Sequence, residues 1–330
     1  MEQNFKALVV EEINSAFERS IKNKNIADLP ANDVLIRVHY SSLNYKDALS
    51  ATGNKGITRN YPHTPGVDVG GVVVNSKTPK YKEGDEVIVT GYDLGMNTSG
   101  GFGEYVRVSA DWIVRKPIEI SLRTAMIIGT AGFTAMNGVL EIINCGIKPE
   151  DGKIVVSGAT GGVGIMATTF LAKLGYDVIA SSGKKEHYKL LEKAGAKEIC
   201  GRELLNEQSP KPVLPQKWIA GIDTVGGNVL TNILKSLAKY GIVCTCGNIV
   251  SAELHTSIFP FIIRGIRLIG LASAETFMSK RLVIWDKIVS NFGNFDFDFL
   301  TKEIKLEGLN TEIDLMLKGQ QVGRVLVNML

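Results

Sequence analysis

Histidine and cysteine are scarce, four of each in 330 residues, and their placement excludes several kinds of chemistry. His39, His63, His187 and His255 form no metal-like pair and stand in no Ser/His/Asp arrangement, so hydrolysis and acyl transfer find no support. Cys145, Cys200, Cys244 and Cys246 lie mostly within apolar runs, which reads as reduced core thiols rather than a disulfide framework. A zinc ion needs about four N, S or O ligands in a tetrahedral array. No such cluster is visible, and no metal is expected.

An excess of either charge is missing as well. Lys and Arg number 37 against 34 Asp and Glu, a formal net charge of +3 with no block of like sign, which gives no footprint for nucleic acid. The N-terminal Met1-Glu2-Gln3-Asn4-Phe5-Lys6 lacks the apolar core and cleavage site of a signal peptide. The apolar stretch from Ile258 to Ala272 is interrupted by Arg264 and Arg267 and falls short of a bilayer span. No membrane partner is expected, and a cytoplasmic location is the default. No Tyr is followed by Lys four residues on, which argues against a short-chain dehydrogenase, and there are no internal repeats.

What the chain does have is a glycine-rich turn in a telling context. Lys153-Ile154-Val155-Val156-Ser157 reads as a strand, Gly158 to Gly164 as the turn, and Val163, Met166, Ala167, Phe170, Leu171 and Leu174 recur at helical spacing before Gly175. A helix opening at such a turn aims unpaired N–H groups and the positive end of its dipole at one spot. Thr160, Gly161, Gly162 and Val163 are therefore assigned to a dinucleotide pyrophosphate. The second strand, Tyr176 to Ala180, ends in Ser181-Ser182-Gly183-Lys184-Lys185, where an NAD-preferring site keeps a carboxylate for the ribose hydroxyl. Hydroxyls, a glycine and ammonium groups suit a 2′-phosphate instead, so Ser182, Gly183 and Lys184 point to NADPH over NADH.

The first part of the chain is rich in strands, at Phe5 to Val10, Val34 to Tyr40, Val69 to Val74, Asp85 to Thr90, Gly103 to Val108 and Trp112 to Val114, as in a small barrel-like domain. From Ser121, an N-cap candidate, two helical runs flank Gly129-Thr130-Ala131-Gly132, with Thr134 opening the second. Strands and helices then alternate to a sixth strand at Ile266 to Ala272, which predicts a doubly wound parallel α/β sheet. In that arrangement the Asn248 loop after the fifth strand reaches the nicotinamide. The helices at Arg281 to Val289 and Thr311 to Leu317 and the strand at Gly323 to Val327 are expected to return to the β domain. The predicted division is 1–124 and 273–330 against 125–272.

The blocks Asn44-Tyr45-Lys46-Asp47, Pro65-Gly66-Val67-Asp68-Val69-Gly70-Gly71, Gly129-Thr130-Ala131-Gly132-Phe133-Thr134-Ala135, Gly158 to Gly164 and Asp223-Thr224-Val225-Gly226-Gly227, in this order, resemble the zinc-independent quinone oxidoreductase branch of the medium-chain dehydrogenase/reductases. The resemblance is strongest to the acrylyl-CoA reductase (YhdH/YhfP-type) group and spans essentially the whole chain. It implies a GroES-like catalytic domain, a Rossmann NADPH domain and a homodimer paired through the sixth strands. Zinc-containing relatives carry an early Cys ligand and a Gly-His-Glu segment, where this chain has Ser42, Asn44 and Val67-Asp68. The resemblance further implies reduction of an activated C=C bond, acryloyl-CoA going to propionyl-CoA, with Tyr45 at the nicotinamide and Arg202 a second cation for the adenosine phosphate. Tyr45 and Asn44, expected on a loop after a strand, are the candidate donors to the substrate carbonyl. Thr130 and Thr134 are candidate cofactor contacts. Lys46 is a candidate partner for either Asp47 or Asp68. A quinone or free enone is the alternative substrate, and a non-catalytic NADPH-binding sensor the alternative function.

Overall fold

A computed structural model describes residues 3–330. The chain forms two compact units, one from Met1–Thr130 with Ala274–Leu330, the other from Ala131–Ser273. The first unit opens with an antiparallel ribbon, β1 (Asn4–Ile13) and β2 (Ala16–Asn25), in register from Asn4 opposite Asn25 to Ile13 opposite Ala16. Its two-residue turn, Asn14-Ser15, has φ of 50° and 64°. Two positive φ values match the twist of the flanking strands and mark the primed kind of hairpin turn.

The chain continues through β3 (Val34–Leu43), helix α1 (Tyr45–Ser50), β4 (Asp68–Ser76), β5 (Glu86–Thr90), β6 (Tyr105–Val108) and β7 (Val114–Arg115). Trp112, expected in the last of these strands, lies instead in a 3-10 turn, Ala110–Trp112, capped by the Ser109 hydroxyl on Asp111 N. The Asn44–Tyr45 block is not a loop either. β3 runs on to Leu43, Asn44 is the N-cap of α1, and Tyr45 is its first residue.

Helix α2 (Leu122–Asn144) begins where Ser121 accepts from Thr124 N, the expected cap, and carries the chain out of the first unit. It is long and apolar enough to cross a membrane, but 78% of its apolar window is buried within the fold. Gly129 breaks its helical path with φ 49° and ψ −157°. Thr134 therefore sits inside the second stretch of a kinked helix.

In the second unit, β8 (Ile154–Val156), α3 (Gly162–Lys173), β9 (Val178–Ser181), α4 (Tyr188–Lys193), β10 (Glu198–Cys200), β11 (Trp218–Asp223), α5 (Gly227–Ser236), β12 (Leu237–Thr245), α6 (Phe259–Arg264) and β13 (Arg267–Gly270) follow in turn. The six strands pair in the order β10-β9-β8-β11-β12-β13, all parallel. This is the predicted doubly wound sheet, its order reversing between β8 and β11. Its apolar strands are buried on both faces, with Val155, Ile179 and Val243 packed against Leu230, Ile233 and Leu234.

The chain then re-enters the first unit as α7 (Met278–Phe292), β14 (Thr301–Lys305), α8 (Leu309–Leu317) and β15 (Arg324–Asn328). β15 joins β14 in parallel and β3 antiparallel, completing a seven-stranded sheet of order β14-β15-β3-β4-β5-β7 with β6 on β3. A Cβ at Gly129 would lie 2.6 Å from Asp68 Oδ2, 2.7 Å from Ser42 Oγ and 2.9 Å from Arg324 Nη2. Gly129→Ala is expected to cost more than the roughly 1–3 kcal/mol of a strained backbone alone, because positive φ and collision add. Urea unfolding of the two proteins checks this.

Candidate functional site

Two polar centres stand out, one in each unit. In the first, Asp68 opens β4 with no exposed surface, and a buried carboxylate needs every lone pair satisfied. Ser42 Oγ donates to its Oδ2 at 2.6 Å and Asn44 Nδ2 at 2.7 Å, while Thr130 N and Oγ1 reach Oδ1 at 3.0 and 2.6 Å. Arg324, 2% exposed, donates from Nη2 to Ser42 Oγ and from Nη1 to Asn44 Oδ1, and its Nε caps Ile127 O at 2.8 Å. The expected partnership of Lys46 with Asp68 is overturned. Lys46 is exposed, and its ammonium lies 4.0 Å from Met96 Sδ.

Asp47 is no surface residue. It is fully buried, accepting from Val67 N and from Asn44 N, each at 2.8 Å. Asn44 thus has its backbone N–H on Asp47 and its side chain spent on Ser42 O, Asp68 and Arg324. Tyr45, next along the chain, is 37% exposed, with its ring outside this network. Sequence reasoning missed Arg324 and Asp47, although an Arg leading the apolar Val325-Leu326-Val327 was a signal of a buried cation.

The second centre is the glycine turn. Gly158 has φ 59°, and a Cβ there would meet Thr224 Oγ1 at 2.3 Å; one at Gly164 would meet Gly158 O at 2.3 Å. These two glycines are required by the tight strand–turn–helix packing itself. Gly161 differs. As N-cap of α3 it offers no side chain to the first-turn amides, and a Cβ on it would meet only Gly158 O, at 3.3 Å. Thr160 is buried and its hydroxyl pairs with Ser182 Oγ at 3.0 Å, joining the ends of β8 and β9. Gly162 and Val163 begin α3 half-buried.

Ser182 also accepts from Lys184 N, and the Arg202 guanidinium lies against Gly183, where a Cβ would meet its Nε at 2.2 Å. Burial lowers the Lys184 pKa, with Glu186 raising it and Arg202 lowering it. Two cations and a hydroxyl thus converge beside an uncapped helix start, which fits a phosphorylated dinucleotide. Asn248 is exposed on the loop after β12, which closes over Gly226 through the Gly226–Ser251 bridge. Sequence reasoning also missed Asp223, which gathers the ends of β8, β11 and β12. It accepts from Ser157 Oγ at 2.6 Å, Gly226 N at 2.9 Å and Thr245 Oγ1 at 3.1 Å.

Among the described residues, no three His, Cys, Asp or Glu side chains come together in a group that could hold a metal ion. Ser42, Asn44 and Asp68 are consumed by one another and by Arg324.

Burial, reinforced by the Asp68 carboxylate, pushes the Asp47 pKa from 3.8 up to about 7. A carboxyl whose folded pKa is raised holds its proton more tightly in the folded state. Its contribution to stability is full below the unfolded pKa and is lost as pH rises through the folded one. Asp47→Asn is therefore expected to flatten the decline in unfolding free energy between roughly pH 4 and 7, as measured by urea unfolding at stepped pH. A slope identical to that of the unaltered chain would refute the assignment.

The sequence profile of the alcohol dehydrogenase GroES-like domain matches residues 30–118, and that of the zinc-binding dehydrogenases residues 162–283. Acrylyl-CoA reductase AcuI of Ruegeria pomeroyi is 38% identical over 98% of this chain and 99% of its own length. The YhdH oxidoreductase of Salmonella enterica, solved in complex with NADP, superposes with a TM-score of 0.96 at 40% identity, covering 98% of this chain and 100% of that one. The Bacillus subtilis protein YhfP, solved with NAD bound, has a TM-score of 0.96 at 38% identity, covering 99% and 100%. Matches of this extent, together with the reversed six-strand order and the glycine turn, place the chain in the medium-chain dehydrogenase/reductase family, within the group that holds AcuI and YhfP.

Proposed function

We propose that this protein is an NADPH-dependent, zinc-independent reductase of a C=C bond conjugated to a carbonyl, with acryloyl-CoA as substrate and propionyl-CoA as product. The convergence of Lys184 and Arg202 on the Ser182–Gly183 turn carries the choice of cofactor, since a 2′-phosphate is the group that two cations and a hydroxyl there serve. Thr160, Gly161, Gly162 and Val163 hold the pyrophosphate at the start of α3, and Thr134 and Asn248 serve the nicotinamide end. When bound, the reduced nicotinamide supplies the hydride.

Negative charge then collects on the substrate carbonyl oxygen, and donors fixed in advance stabilise it. Tyr45 is the donor in this reading, because its ring stands outside the buried network. Asn44 serves by holding Tyr45, both of its amide hydrogens being engaged on Ser42 O and Asp68. The Thr130 hydroxyl, donated to Asp68, has the same supporting role. A reducing, cytoplasmic setting accords with cysteines held as thiols.

The experiment is NADPH consumption with acryloyl-CoA, acrolein and a benzoquinone at matched concentration, repeated with NADH and with a chelator. Acryloyl-CoA is expected to turn over fastest, NADPH to outperform NADH, and the chelator to change nothing. Tight NADPH binding without consumption in any arm would favour a sensor. Tyr45→Phe is expected to lower kcat by roughly 100-fold, the loss typical of one such donor, with NADPH affinity retained.

The quaternary proposal is a homodimer formed through β13. This strand is the edge of the six-stranded sheet, and Tyr240, Phe259, Ile262 and Ile263 of the same unit stay exposed. A free edge beside a large apolar patch favours pairing with another copy. Light scattering should give twice the mass of the chain, and Ile262→Asp should reduce it to one.

A further inference from the structure

One feature of the first centre goes beyond the proposed reaction and rests on the reading of Tyr45 as its donor. Asp68 and Arg324 are both buried, yet they do not touch directly, Nη2 and Oδ2 lying 3.9 Å apart. Two neutral side chains fill the gap in parallel. Ser42 Oγ accepts from Arg324 Nη2 at 2.8 Å and donates to Asp68 Oδ2 at 2.6 Å. Asn44 accepts from Arg324 Nη1 through Oδ1 at 3.2 Å and donates from Nδ2 to Asp68 Oδ2 at 2.7 Å. A cation at one end and an anion at the other leave the Asn44 amide one orientation, because flipping it would face oxygen with carboxylate and NH₂ with guanidinium.

The backbone of Asn44 is held as firmly. Its N–H is on Asp47 Oδ2, while Asp47 Oδ1 takes Val67 N, the residue before Asp68. Arg324 Nη1 also approaches Leu43 O at 3.5 Å, so the two residues preceding Tyr45 are both tied to the charged pair. A buried ion pair is a poor source of net stability, since desolvation offsets most of its attraction, and its best-attested use is to impose one arrangement among several. Here the arrangement imposed is the end of β3 and the start of α1.

We propose that Asp68 and Arg324 are positioning residues, which through Ser42 and Asn44 fix the first turn of α1 and thereby the direction of the Tyr45 phenol. Neither residue touches substrate or cofactor in this scheme. Their effect on turnover passes through Tyr45 alone, so it must vanish when the phenol is removed.

The test uses the full chain in three backgrounds: Asp68→Asn, Arg324→Lys and Ser42→Ala. Each is expected to lower kcat with acryloyl-CoA by about tenfold or more, as displacement of a reacting group by a fraction of an ångström does, while the NADPH dissociation constant stays within about twofold. Each is then combined with Tyr45→Phe. Acting through Tyr45 predicts that the double variants are no slower than Tyr45→Phe itself; losses that multiply would overturn the proposal.

Amide hydrogen exchange gives a readout that needs no turnover. Faster exchange confined to residues 44–51 is expected in all three variants. Unchanged exchange there, or loss spread evenly through the unit, would overturn the proposal. Should Tyr45→Phe keep full activity, the donor assignment fails, and the exchange pattern still decides whether the pair orders α1. Ser42→Ala leaves both charges in place, and it carries the test if either charge variant does not fold.

Discussion

The first unit is built around a guanidinium and a carboxylate that have both left water. Removing such charges from solvent costs several kcal/mol apiece, and only complete hydrogen bonding keeps the account near balance. The rest of the local structure follows from that demand. Gly129 has no side chain because Asp68, Ser42 and Arg324 fill the space one would take. The same positive φ that breaks α2 leaves Ile127 O for Arg324 Nε and brings Thr130 N onto Asp68. The kink, the N-cap of α1 and the register of β15 on β3 thus serve one buried centre.

The second unit meets a similar demand without a cation. Asp223 is also buried, and desolvation raises its pKa while the Ser157, Gly226 and Thr245 donors pull it down. Hydroxyls and amides suffice because the ends of parallel strands deliver them to one place. The outcome is a rigid frame under the glycine turn, Ser157 being at once the donor to Asp223 and the acceptor for Thr224 N at 3.0 Å. Cys246 beside it is pushed up to about 12 by burial and then by Asp223, so its thiol stays protonated.

The second unit was the more legible from sequence because its inner strands, β8, β9 and β11 above all, are buried almost throughout and announce themselves as short apolar runs. Apolar runs marked β8, β9, β11 and β12, and glycines marked the turn between β8 and α3. Strands that face water carry no such mark. β2 reads Ala-Phe-Glu-Arg-Ser-Ile-Lys-Asn-Lys-Asn and β14 reads Thr-Lys-Glu-Ile-Lys, and both went unseen. Helix α1 was missed because six residues are too few to show a period of 3.6. The glycine turn was readable because its residues are neighbours in the chain. The charged centre was not, since Asn44 and Arg324 lie 280 positions apart and nothing local ties an arginine to an asparagine.

That separation bears on how the chain acquires its shape during synthesis. Asp68 and its hydroxyl and amide donors emerge from the ribosome long before the cation that completes their centre, Ser42 being 282 positions ahead of Arg324. The unit spanning Ala131–Ser273 is one continuous segment and has all of its strands in hand before Arg324 is made. The order of synthesis thus lets one unit be completed before the buried charged centre of the other can form, an interval of the kind that chaperones protect.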